Sequence, residues 1–233
     1  MPGAIVEERA GVVSPLRAGW EAAKANRLPM LVLWLLAAAT VICYYTVPCV
    51  AAAFDPLMEF QLEYGWFAAF ANRLVFTGLL PGIFLCLMKS IRPRHPLAVI
   101  TVQSLWCGMW GVICDRMYIF VDWMFGGGTD ALSVAVKTLF DQLPWTVLVI
   151  EPANAAFYFW VGRGLSLRRT REEWPSGRFW RTLMMPFLLA NWCVWVPVTV
   201  AVFLIPLPLR VHIVGFASAF WTLMCLRIGR MES

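Results

Sequence analysis

Charge is scarce in this chain. Asp, Glu, Lys and Arg make up 14% of its 233 residues, about half the usual share in a soluble domain. Hydrophobic residues make up 61%, against roughly 45–50%, so neither a water-soluble globular domain nor a disordered chain fits. Histidine is almost missing: only His95 and His212 are present, near opposite membrane surfaces in the topology below and too far apart to share a metal. The patterns G-x-x-x-x-G-K-S/T, G-x-S-x-G and H-E-x-x-H do not occur, which removes the nucleotide-binding, hydrolase and metalloprotease classes that carry them. The seven cysteines lie in apolar stretches, none in a C-x-x-C pair, and read as small hydrophobes rather than a disulfide framework. No catalytic, cofactor-binding or metal-binding residue is expected, and the chain is not read as an enzyme.

What the chain has is long apolar runs. Six stand out, over Leu28–Phe54, Trp66–Met88, Pro96–Phe125, Leu143–Val161, Phe179–Ile205 and Leu209–Ile228. About 20 apolar residues cross a bilayer as a helix, and in lipid each backbone polar group must be paired within its own segment. The expected fold is therefore all-α: a polytopic membrane bundle of six transmembrane helices over residues 28–229. Residues 1–27 form a separate interfacial segment, in which Leu16, Trp20 and Ala23 share the apolar face of an amphipathic helix. Pro186 and Pro197 predict a kink in the fifth span.

Direction follows from the basic residues in the connections. The N-terminal segment, the second and fourth loops and the C-terminus collect fifteen of the 19 lysines and arginines, whereas the alternate loops hold only Lys137 and Arg210. Both termini thus lie on the basic side. Arg168, Arg169, Arg171, Arg178 and Arg181 in the fourth loop read as contacts to anionic lipid headgroups, and no nucleic-acid partner is expected.

Ionisable residues inside the bilayer are costly and mark function by default. They are Arg73, Asp115, Arg116 and Glu151, with Asp122 nearer an interface. Counted along their spans, Arg73, Asp115 and Glu151 fall roughly 10–15 Å below the same surface, so one buried charged layer is expected. On the third span Ser104, Gly108, Gly111, Asp115, Tyr118 and Asp122 recur at helical spacing, as do Glu151, Asn154 and Tyr158 on the fourth, and Asn191 lies mid-span in the fifth. Such stripes serve either as packing seams between closely approaching helices or as the lining of a hydrated passage. The seam is the favoured reading.

From the third span onward, over about residues 100–229, the chain resembles the Mpv-seventeen / peroxisomal membrane protein twenty-two family. Gly108 and Gly111 before Tyr118 and Asp122, then Lys137, Asp141 and Gln142 in a K-x-x-x-D-Q segment, carry the resemblance. Asn191, Trp192 and Trp195 with Pro197, and Phe203, Pro206, Leu207, Arg210 and Trp221 complete it. Val112 and Met117 depart from the family's Pro and Trp, and Thr199, Val202 and Thr222 replace its amide side chains, which would weaken an inherited pore. The resemblance implies an inner mitochondrial membrane, ahead of a peroxisomal or bacterial one, and a channel for small solutes or ions. It defines no catalytic residues. The alternative is a structural accessory subunit of a large membrane complex, such as a respiratory-chain complex or ATP synthase. For that role the 13 tryptophans supply rigid contact surface, and other subunits join membrane lipids as partners.

Overall fold

The computed structural model describes residues 24, 27–87, 95–174, 179–180 and 184–231, with side chains in the last helix up to Thr222. Most of the interfacial segment expected over 1–27, the loop holding Lys89, Arg92 and Arg94, and the headgroup candidates Arg178 and Arg181 lie outside the described residues. Within them every regular element is a helix. Helix α1 is Arg27–Thr46 and α2 is Pro48–Tyr64. Helix α3 runs over 66–87 with a π-helical stretch at Arg73–Leu79, and α4 is Pro96–Phe125. Helix α5, Ala131–Gly162, has a second π stretch at Asp141–Ile150. Helices α6 (Leu167–Glu172), α7 (Met185–Leu204) and α8 (Leu207–Met231) complete the order.

Among the described residues four stretches are long and apolar enough to cross a membrane: Trp66–Phe84, Pro96–Phe125, Ala131–Gly162 and Phe187–Leu204. The first expected span instead divides into α1 and α2, bent by 104°. Pro48 is the cause. The residue before a proline is pushed out of the helical region, and Val47 is extended, at φ −122° and ψ 98°. Acidic Asp55, Glu59 and Glu63 are exposed on α2. The fourth expected span is longer than its apolar core: it begins at Ala131, where Asp130 caps the helix by accepting from the backbone N–H of Leu132 and Ser133, 3.1 Å each. Lys137 and Asp141 therefore sit on a helix rather than in a loop.

The interior is mixed: beside an apolar core it holds polar and charged side chains, while many large apolar ones face outward. Lys137, Glu151, Gln103 and Thr222 are fully buried, and Arg210 and His212 keep only 2% exposure, while Leu35, Leu97, Leu105, Trp123 and Leu148 are exposed. Apolar side chains facing outward around polar ones fit a membrane protein, in which lipid rather than water is the outer solvent.

Helix α4 packs along α3, most extensively on its π stretch, and α8 touches α2, α3, α4, α5 and α7. Side chains of α1 tie it to α7: Trp34 Nε1 donates to the Val194 carbonyl at 3.2 Å and Tyr45 Oη to the Leu204 carbonyl at 2.6 Å. The α3–α4 seam depends on small residues. A Cβ at Gly111 would meet the Ala69 carbonyl, and one at Gly108 would lie 2.7 Å from the Phe70 ring. Prolines accompany both π stretches. Pro144 lies within the second, and Pro81 follows the first by two residues. Each removes an N–H from the helix ladder, and the ladder widens there.

Candidate functional site

The two widened stretches face a cavity of about 80 Å³ between α3, α4, α5, α7 and α8. Arg73 and Thr77 reach it from α3, and Asp141, Gln142, Thr146, Ile150, Asn154 and Tyr158 from α5. From Gln142 onward the α5 contribution advances in steps of four, which suits a helix wound slightly wider than 3.6 residues per turn. Helix α4 contributes Trp106, Cys107, Trp110, Cys114, Met117 and Tyr118; α7 adds Asn191, Trp195 and Thr199; α8 adds Val214, Ser218, Trp221 and Thr222. The lining is thus one cation, one carboxyl group, three amides, several hydroxyls and four indoles.

The two charges in this lining do not pair. Arg73 Nη1 donates to Ser218 Oγ, and Nη2 to Cys114 Sγ at 3.4 Å, while its Nε has no partner. Asp141 Oδ2 accepts from Gln142 Nε2 at 2.7 Å and from Thr199 Oγ1 at 3.2 Å. Gln142 is itself fixed: its Nε2 donates to Thr199 at 2.9 Å, its Oε1 accepts from Asn191 Nδ2 at 3.4 Å, and its carbonyl accepts from Trp192 Nε1 at 2.8 Å. Around the indoles, Trp106 stacks on Phe157 at 4.3 Å and donates to Asn154 Oδ1 at 3.4 Å. Trp195 meets Trp221 edge-on at 6.5 Å.

Of the site candidates read from sequence, Arg73, Tyr118, Asn154, Tyr158 and Asn191 line this cavity, and so do Asp141, Gln142, Trp195 and Trp221 from the family resemblance. The other described candidates lie elsewhere, and the expected single charged layer divides into separate groups. Ser104, Gly108 and Gly111 are buried at the α3–α4 seam, so that part of the stripe serves packing. Asp115 accepts from Gln61 Nε2 at 2.9 Å and pairs with Arg116 at 2.9 Å, near Gly65, which separates α2 from α3. Arg116 is not a buried member of any layer, since its side chain is 57% exposed. Glu151 is fully buried, lies off the cavity lining, and neither carboxyl oxygen has a hydrogen-bond partner among the described residues. His212, expected at an interface, is buried and hydrogen-bonded to Asn72 at 3.1 Å.

Asp122 belongs to a second charged site. It pairs with Lys137 at 2.8 Å and with Arg210 at 2.8 Å, so one carboxylate joins α4, α5 and α8. Lys137 also donates to the Gly128 carbonyl at 3.0 Å, and Arg210 Nε to the Ile205 carbonyl at 3.2 Å. The Phe203 ring lies 5.2 Å from the Arg210 guanidinium and 5.9 Å from the Lys137 ammonium. From sequence both cations read as loop residues of the less basic side; both are buried ion-pair partners. At the other end, Arg168 and Arg169 are exposed on α6 with Arg171, and Arg168 pairs with Glu172 at 2.8 Å.

From sequence Asp141 and Gln142 carry only the family resemblance and are not site candidates, because the apolar run of the fourth span starts only at Leu143. A usable signal was present: Gln142, Thr146, Asn154 and Tyr158 fall on one face when the helix is extended backward. Thr199 and Thr222, which replace amides in the resemblance, still bring hydroxyls to the lining. No protein family, curated protein or solved structure matches the chain.

Proposed function

We propose that this protein is a six-span channel or carrier for a small polar solute, in an organellar membrane, with both termini on the basic side. In this topology α1, α3, α4, α5, α7 and α8 cross the bilayer, and α2 lies against the surface opposite the basic one. The Mpv-seventeen resemblance and the inner mitochondrial location it implies belong to the same proposal. What carries it is the cavity, in which Arg73 and Asp141 stand without an ion-pair partner among the described residues. Burying an isolated charge costs several kcal/mol, and polar groups buried for packing alone are normally satisfied by one another. A cavity lined by unpaired opposite charges is arranged for something that passes through it.

Purified protein in sealed vesicles should accelerate uptake of small polar probes over protein-free vesicles. Uptake no faster than the protein-free control overturns the reading. An accessory-subunit role makes a different prediction: the chain migrates on native gels within a band of several subunits, and Asp141→Asn leaves both band and respiration unchanged.

A further inference from the structure

The cavity's chemistry narrows the solute. Arg73 and Asp141 come from different helices, both line the same space, and neither has an ion-pair partner among the described residues. A lone anion would satisfy the arginine and meet the aspartate's field unfavourably; a lone cation would do the reverse. Like-charge juxtaposition in a dry site costs several kcal/mol, so either single-charge solute is penalised at one end. A molecule carrying both charges is favoured at both.

Size and wall chemistry agree. A cavity of about 80 Å³ holds on the order of five to seven water-sized positions, which is the scale of glycine or alanine. Trp106, Trp110, Trp195 and Trp221 present indole surface to the same space, and indole faces attract ammonium groups. The carboxyl of Asp141 is oriented by Gln142 and Thr199, both bonding through Oδ2, which leaves Oδ1 available to a ligand.

We propose that the cavity binds a small zwitterion of the amino-acid class, its carboxylate toward Arg73 and its ammonium toward Asp141 and the indoles. This assignment rests on the solute-pathway reading above. It makes the pathway selective for solutes of zero net charge that nonetheless carry two full charges, and size-limited to short side chains.

The test is uptake by vesicles containing the full chain, using labelled glycine, methanesulfonate and tetramethylammonium. The last two are permanently charged ions of similar size that do not cross lipid unaided. Wild type should take up glycine about tenfold faster than either ion, the equivalent of one 1.4 kcal/mol discrimination step. Asp141→Asn should move the preference toward methanesulfonate, and Arg73→Gln toward tetramethylammonium. Thermal unfolding in detergent checks that each variant is folded; should Arg73→Gln fail that check, Asp141→Asn with wild type still decides the matter. Equal uptake of an ion and glycine by wild type, or a shift of both variants in one direction, overturns the assignment. Uptake of the ions without glycine overturns the zwitterion assignment alone, whereas uptake of none overturns the pathway reading with it.

Discussion

Two groups of buried charge in this bundle are built in opposite ways. At one, Asp122 takes Lys137 and Arg210 at 2.8 Å each, a backbone carbonyl completes each cation, and the Phe203 ring lies close to both. At the other, Arg73 and Asp141 face one cavity without pairing, held by neutral side chains. The first has little left to offer a ligand, because its carboxylate is already shared between two cations. The second keeps its charges separate, in a space lined by both polar groups and indoles. Burial alone therefore does not distinguish the two groups. Whether a protein group already answers the charge, and whether the charge reaches a cavity, does.

Breaking the closed group should have the largest effect on stability. Asp122→Ala leaves Lys137 and Arg210 buried without their anion, and loss of one partner of a buried pair costs about 3–5 kcal/mol. Thermal unfolding in detergent should show a large drop in midpoint, with unchanged glycine-over-ion preference in whatever folds. A small drop would mean that the two cations find other partners.

Thr199→Val comes next. It removes one hydrogen bond to Asp141 and one from Gln142, each worth about 1 kcal/mol. The expected loss is about 1–2 kcal/mol, and uptake should also slow because the Asp141 carboxyl loses one of its two orienting donors. Unfolding midpoint and glycine uptake measured on the same preparation separate the two effects. A slower uptake with no change in midpoint would place Thr199 in solute contact rather than in support of Asp141.

Asp141→Asn should cost still less stability, within about 1 kcal/mol, because an amide of the same shape replaces a buried carboxyl group that has no counter-charge. Its effect should appear in selectivity. A loss comparable to that of Asp122→Ala would erase the contrast between the groups and make Asp141 a structural residue.

The sequence made the helices legible and left their irregularities hidden. Apolar length alone located α3, α4, α5 and α7, because the lipid environment permits little else for such runs. The break at Pro48 was readable in principle, since a proline late in a span needs neighbouring groups to keep the helix continuous. The depth argument placed Arg73, Asp115 and Glu151 in one layer, but depth fixes only one coordinate. Their rotation about three helix axes sent Arg73 to the cavity, Asp115 to Gln61, and Glu151 to neither. Lys137 and Arg210 were hidden for a related reason. A charge beyond the edge of an apolar run looks like loop until the helix is seen to continue under it.

Glu151 provides the sharpest control because the smallest effect is expected there. Among the described residues it is as buried as any and, like Asp141, has no cationic partner, but it lies off the cavity lining. If the electrostatics of the membrane interior as a whole set selectivity, Glu151→Gln and Asp141→Asn should act alike. If the cavity sets it, Glu151→Gln should leave the glycine-over-ion ratio at its wild-type value. Stability should change by less than about 1 kcal/mol, since an amide of nearly equal volume replaces a carboxyl group without hydrogen-bond partners. Measuring the uptake ratio of this variant beside that of Asp141→Asn compares two buried carboxyl groups that differ in access to the solute. A shift toward methanesulfonate in both would return Glu151 to a shared charged layer, with the long-range field rather than the cavity wall selecting what passes.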